Sequence, residues 1–174
     1  ELREQAMRDV LTGIYNKAGE KLIDRMVKEK GQGLFLMLDL NDFKSINDTM
    51  GHAAGDAILT EMGRVLKGTC RENDIVARIG GDEFVMFLPG AFDWQTGKRK
   101  IGEIQDSLRT VMITTWGIRG IRASIGAALC PEDGMDYETL FKAADEAMYL
   151  DKEQSKNRNE SREAGEEKQD RTIS

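Results

Sequence analysis

Hydrophobic and polar positions alternate along this chain with two different periods, and the changes of period mark out its elements. Residues 1–8 are polar apart from Leu2 and Met7 and predict the end of a helix. Asp9 to Gly13 reads as a capped turn, followed by a helix over Lys17–Lys30 with Leu22, Ile23, Met26 and Val27 on one face. Gly31-Gln32-Gly33 breaks that helix. The unbroken apolar run Leu34–Leu38 predicts a strand buried on both faces, ended by Asp39. Asp42–Asp48 predicts a short helix with Phe43 and Ile46 inward and Gly51 as its stop. From Asp56 a long helix carries Ile58, Leu59, Met62, Val65 and Leu66 to about Gly68–Cys70. Ile75–Ile79 and Phe84–Leu88 are strand-like, and the Gly80-Gly81 pair between them is a hairpin signal, because positive φ is cheap at glycine. A helix over about Lys98–Thr114, a strand over about Ile121–Leu129, a turn at Cys130–Gly134 and a helix over about Tyr137–Lys152 complete the pattern. Beyond Arg158 almost nothing is apolar, and residues 159–174 are expected to be a disordered polar tail.

The order β–α–β–β–α–β is that of a ferredoxin-like split βαβ unit, an α+β fold with an antiparallel sheet flanked by helices. In that topology the first and second strands run parallel with the third inserted antiparallel between them. The end of the first strand and the hairpin after the second then share one sheet edge, which makes neighbours of Asp39 and Asp82.

The 174 residues suit one domain with a short extension, and 40% hydrophobic with 32% charged residues suits a globular domain. A net charge of −6 weighs against wrapping a nucleic-acid backbone, so no DNA or RNA partner is expected. No apolar run is long enough to cross a bilayer. Cys70 and Cys130 match no zinc spacing and are expected to pack as small apolar residues. His52 is the sole histidine, which disfavours a Ser–His–Asp triad and leaves any metal to oxygen ligands. The opening at Glu1 predicts a piece of a longer protein, with residues 1–8 the end of an upstream linker helix.

Asp39 alone would be read as a helix cap and Asp82 alone as a turn residue. Brought together at a sheet edge, with Glu83 as a third carboxylate, they suit a hard divalent cation such as Mg²⁺. The segment from Asp39 fails as an EF-hand, since Phe43 stands where an oxygen ligand belongs and Lys44 where glycine is needed. Gly97-Lys98-Arg99 lacks the Ser or Thr of a phosphate-binding loop, and Gly31-Gln32-Gly33 precedes a strand where a dinucleotide fingerprint would follow one.

Five spaced segments together resemble one family. Arg78 to Phe84, reading RIGGDEF, is similar to the signature of GGDEF domains, the diguanylate cyclases. Asp9–Asn16 resembles the family's DxLTGLxN opening, Asp39–Asp48 its DxDxFKxxND segment, Gly51–Asp56 its GHxxGD, and Ala144–Tyr149 with Lys152 its ADxAMYxAK close. The likeness runs from about Asp9 to Arg158 and implies a palm-like, nucleotidyl-cyclase-like sheet over residues 9–158.

The resemblance implies condensation of two GTP into cyclic di-GMP and two pyrophosphates, with two protomers meeting as a homodimer. It implies Mg²⁺ or Mn²⁺, two per GTP, held by Asp39, Asp82 and the carbonyl of Leu40. Asp82, Glu83 and Lys44 are then expected in catalysis. Phe43, Lys44, Asn47, Asp56, Lys152 and Lys156 are expected on the substrate, with Asn47 and Asp56 on guanine and the last two lysines on terminal phosphates. Backbone N–H groups around Asn41–Lys44 would assist at the phosphates, and Asp56 would also cap the long helix. Arg71 and Asp74 resemble the family's RxxD inhibitory site, where the product binds; the further arginine of such a site is not placed by the sequence. An upstream sensor domain and a cytoplasmic setting are implied, without direct membrane contact by this domain and compatibly with membrane anchoring of a full-length protein.

The chain departs from the family pattern at Lys17, at Asn41-Asp42 and at Ser155, and has Asp82 where many members carry Glu. The alternative reading is a catalytically silent GGDEF domain that senses GTP or cyclic di-GMP. Another nucleotidyl transferase on the same sheet is disfavoured by Asn47 and Asp56, which suit guanine better than adenine.

Overall fold

The computed structural model describes residues 2–90, 92–116 and 122–170, and only the backbone of 112–116, 155 and 158–170. Its elements are α1 (Leu2–Ala6), α2 (Gly19–Lys30), β1 (Gly33–Leu40), α3 (Phe43–Met50), α4 (His52–Thr69), β2 (Ile75–Arg78), β3 (Glu83–Pro89), α5 (Trp94–Trp116), β4 (Ala123–Cys130) and α6 (Tyr137–Asp170). The four strands form one antiparallel sheet in the order β2-β3-β1-β4. β1 and β2 therefore run parallel with β3 between them, the arrangement expected from the sequence.

The apolar run of β1 is unbroken because helices cover both faces of the sheet. Leu34, Leu36, Leu38 and Leu40 point to one side, against Ile46 of α3, Ile58 and Met62 of α4, and Ile104 and Leu108 of α5. Phe35 and Met37 point to the other, against Ile23 and Val27 of α2 and Leu140, Ala144 and Met148 of α6. Each such side chain contributes about 1.5–3 kcal/mol on leaving water, so this strand anchors both layers.

Several boundaries differ from the sequence reading. β1 runs two residues further, so Asp39 is a strand residue rather than a stop. α4 starts at His52 with Gly51 as its N-cap at φ 88°, so Asp56 lies inside the helix and does not cap it. The Ala53-Ala54 pair favours helix and lets the first turn form upstream of Asp56. α5 begins at Trp94, four residues before the predicted start, because Asp93 Oδ1 accepts the Thr96 N–H at 2.7 Å as an N-terminal cap. Ile121, the first residue of the predicted last strand, lies outside the described residues, as does the Trp116 side chain; Trp94 is on the surface. α6 continues past Arg158 to Asp170, across most of the segment expected to be disordered. That segment is polar but rich in Glu, Lys, Arg and Gln, which are good helix formers even without an apolar face.

Cys70 and Cys130 are unpaired, half-buried and buried respectively, and burial pushes the Cys70 thiol up to about 11. Both behave as small apolar residues. Among the described residues no helix is long and apolar enough to cross a membrane.

Candidate active site

Antiparallel register sets the site. Asp39 near the end of β1 pairs with Glu83 at the start of β3, so Asp82, one residue earlier in the hairpin, sits at the same edge. Asp39, Leu40, Asn41, Asp42, Phe43, Lys44, Asp82, Lys152 and Lys156 line one cleft of about 570 Å³. Seven of the twelve residues singled out by sequence thus converge here: Asp39, Leu40, Phe43, Lys44, Asp82, Lys152 and Lys156. Glu83 is not among the lining residues, and a Cβ on Gly80 would come within 2.9 Å of its Oε2. Asn47 and Asp56 do not line this cleft; they lie on α3 and α4, which pack together, Asn47 half-buried and Asp56 exposed.

The electrostatics are those of a cation site. Lys152 Nζ donates to Asp39 Oδ2 at 2.7 Å, with side chains 38% and 16% exposed. Asp39 Oδ1 is buried and has no hydrogen-bond partner. Burial first, and then the Asp39 carboxylate beside it, push the Asp82 carboxyl up to about 6. The two facts describe one deficit. Ionised carboxylates cannot donate to each other, so an oxygen stays unsatisfied unless Asp82 keeps a proton or a cation enters. Among the described residues no group of three or more His, Cys, Asp and Glu side chains is placed to hold a metal ion. Two carboxylates and a main-chain carbonyl suit Mg²⁺, which keeps several waters and takes substrate phosphates as further ligands. The donors therefore fit a hard divalent cation, and Asp39, Asp82 and the Leu40 carbonyl are the residues that would hold it.

Three supporting contacts escaped the sequence reading. Ser124 on β4, 3% exposed, donates its hydroxyl to Asn41 Oδ1 at 2.7 Å, which gives the amide at position 41 a structural use. The Asn41 N–H donates to the Arg122 carbonyl at 2.8 Å, so it is spent in the sheet rather than aimed at phosphate. Asp42 then takes φ 57°, the left-handed conformation, to turn the chain into α3. Finally, Arg78 Nη1 lies 3.2 Å from both Asp9 carboxylate oxygens while its Nε donates to the Gly81 carbonyl at 2.9 Å. Burial opposes the charge on Asp9, but the Thr12 hydroxyl and N–H and the Arg78 guanidinium outweigh it and hold that carboxyl below its ordinary range. The turn after α1 and the Gly80–Glu83 hairpin are tied together by this bracket.

On the far side of β3, Asp74 is buried and accepts the Arg71 N–H at 2.8 Å, so this pair has a local structural use of its own. Arg71 and Asp74 also line a depression of about 110 Å³ with Arg99 and Lys100 of α5, and another of about 360 Å³ with Lys30 and Gly90. Arg99 of α5 is thus an arginine that shares this depression with Arg71 and Asp74. A further pocket of about 250 Å³ lies behind Leu40, where Asp106 and Arg109 are already paired at 2.9 Å; it holds no carboxylate pair.

The family model described as "Diguanylate cyclase, GGDEF domain" matches residues 6–158. The chain belongs to the GGDEF domain family. It is 32% identical over 164 residues to diguanylate cyclase DgcS of Shewanella oneidensis, covering 90% of this chain and 53% of that protein. It is 34% identical over 161 residues to diguanylate cyclase TpbB of Pseudomonas aeruginosa, covering 89% and 37%. The chain thus spans about half or less of the length of these relatives. Among solved structures, the GGDEF domain of TpbB from Pseudomonas aeruginosa matches with a TM-score of 0.74 at 34% identity, over 82% of this chain and 92% of that one. The GGDEF domain of DgcB from Caulobacter crescentus, solved with c-di-GMP, matches with a TM-score of 0.74 at 29% identity, over 85% and 91%. In this GGDEF domain the signature residues Gly80–Glu83 form the hairpin that carries Asp82 to the cleft.

Proposed function

We propose that two copies of this chain condense two GTP into cyclic di-GMP and two pyrophosphates, each copy binding one GTP in the cleft between β1, α3 and α6. The observation that carries this reading is the Asp39–Asp82 pair, with a buried unpartnered oxygen, facing Lys44, Lys152 and Lys156 across one cleft. Paired carboxylates beside clustered lysines are complementary to a metal–triphosphate, and a single carboxylate or lysine would be complementary to much less.

In this reading Lys152 and Lys156, one helical turn apart, hold the terminal phosphates, and Lys44 lies over the phosphate nearer the sugar. Phe43 packs against the sugar–base region, while the Asn47 amide and Asp56 carboxylate read the guanine edge. The GTP 3′-oxygen of one protomer attacks the α-phosphorus held by the other. One P–O bond forms, the bond to the bridging oxygen of pyrophosphate breaks, and the hydroxyl proton passes to Asp82. Without metal, burial lifts that carboxyl to about 6, and a bound cation would hold it ionised, the form that can accept the proton. A divalent cation on Asp39, Asp82 and the Leu40 carbonyl would supply charge neutralisation at the phosphates and acidify the hydroxyl. The bracket from Asp9 through Arg78 to Gly81 keeps the hairpin, and so Asp82, in place. Arg71, Asp74 and Arg99 together offer two guanidinium forks and a carboxylate, suited to the phosphates and guanine of the product, and are assigned to feedback inhibition.

The test is product formation from GTP with Mg²⁺ or Mn²⁺ at high protein concentration, with Asp82→Asn alongside. Cyclic di-GMP from the parent and none from the variant supports the reading. Retained GTP binding with no product from either protein overturns it in favour of a sensor domain.

A further inference from the structure

Gly55 is buried in the first turns of α4, a place where alanine would make the better helix. A side chain there has nowhere to go. A Cβ built on Gly55 would lie 1.9 Å from Asn47 Oδ1, 2.9 Å from Asn47 Cγ and 3.2 Å from Phe43 Cζ. The carboxamide of Asn47 occupies the space that an alanine methyl would need. Among the described residues no hydrogen bond to another group spends that carboxamide. The comparison with Gly63, two turns along the same helix, is informative. Its Cβ would meet Thr12 Cβ at 2.8 Å, an atom fixed to the backbone, so substitution there strains the fold itself. At Gly55 the obstacle is the free end of a rotatable side chain, which can swing aside at little cost to folding. The consequence of a methyl group at position 55 therefore falls on the direction of the Asn47 amide.

We propose that Gly55 is a specificity-determining position of the base pocket. By lacking a side chain it leaves the seat in which the Asn47 carboxamide lies, and so sets the angle at which that amide meets a purine. Gly55 touches no substrate; it is a positioning residue that acts through Asn47 and the Phe43 ring. The inference rests on the assignment of Asn47 to the guanine edge.

The experiment is calorimetric titration of the chain with the α,β-methylene analogues of GTP and ATP, which the reaction does not cleave, together with thermal melts. Four proteins are compared: the parent, Gly55→Ala, Asn47→Ala and the double variant. The expected result is a loss of about tenfold in guanine-analogue affinity for Gly55→Ala, the scale of one misdirected hydrogen bond, with adenine affinity unchanged and melting temperature equal or higher. Asn47→Ala shows the same loss, and adding Gly55→Ala to it costs less than about twofold more, because the two substitutions act on one contact. A selective parent whose Gly55→Ala variant keeps full affinity and selectivity overturns the Gly55 assignment alone. Equal losses for both nucleotides with a lowered melting temperature, or additive losses in the double variant, overturn it in favour of plain helix packing. A parent with no preference for guanine overturns the base-reading assignment and this inference with it.

Discussion

Replacing Lys152 by methionine is expected to move metal binding and nucleotide binding in opposite directions. In the structure Lys152 Nζ sits 2.7 Å from Asp39 Oδ2, where it neutralises a carboxylate whose other oxygen is buried without a partner. Exposed ion pairs contribute about 0–1 kcal/mol, and removing one partner of a buried pair costs about 3–5 kcal/mol. With Lys152 38% and Asp39 16% exposed, this pair falls between, at about 1–2 kcal/mol. Without metal, Lys152→Met should therefore melt about 3–6 °C lower than the parent. The same ammonium competes with any divalent cation for Asp39, so its removal should tighten Mn²⁺ binding about tenfold in the absence of nucleotide. Mn²⁺ should then restore more stability to the variant than to the parent, as mass action requires. Nucleotide binding should weaken, because the variant has lost a phosphate contact. The assays are thermal melts across a Mn²⁺ series and calorimetric titration with the GTP analogue. Unchanged or weaker Mn²⁺ binding in Lys152→Met would refute the idea that the lysine holds the cation's place.

Three further outcomes follow from particular contacts. Gly126→Ala would put a Cβ 1.9 Å from the Ala144 carbonyl oxygen, a backbone atom, so it should push α6 off β4 and cost about 3 kcal/mol or more in a denaturant titration. Asp9→Asn weakens the bracket on Arg78, and should speed hydrogen exchange at Gly81 and Asp82 and lower turnover more than it lowers the melting temperature. The pH dependence follows from Asp82, whose carboxyl lies at about 6 in the fold against 3.8 ordinarily. The metal-free fold holds this proton more tightly than the unfolded chain, so this group subtracts stability as pH rises through that window, and the loss is complete above about 6. Metal needs the ionised form. Mg²⁺ should therefore raise the melting temperature more at about pH 7 than at about pH 5, and an equal shift at both would contradict the assignment.

The parts of this fold legible in the sequence are those set by local pattern. An unbroken apolar run became a strand covered on both faces, and a hairpin formed at Gly80-Gly81, although neither glycine takes the positive φ on which that reading rests. From the element order alone, Asp39 and Asp82 could be placed at one edge before any coordinates. The Asp93–Thr96 cap was equally local and could have moved the start of α5 to its observed place. What sequence could not reveal are the partners chosen by tertiary distance. The motif around Lys152 points to phosphate, whereas its pairing with Asp39 depends on where α6 crosses β1. The Asn41–Ser124 and Asp9–Arg78 bonds likewise join residues far apart in the chain. Asp56 has the side chain of a cap but lies inside the helix, because two alanines upstream extend it toward Gly51. Gly55 carried no signal beyond its place in a motif, since its meaning lies in the space it leaves for another residue.

The measurement that bears most directly on the central claim is turnover of GTP against protein concentration, with cyclic di-GMP and pyrophosphate both quantified and the assembly state followed by sizing. Reaction across two protomers predicts about two pyrophosphates per cyclic di-GMP, and a rate that rises more steeply than linearly while the protein is mostly monomeric. A rate strictly linear in protein over that range, or pyrophosphate released without cyclic di-GMP, would contradict it.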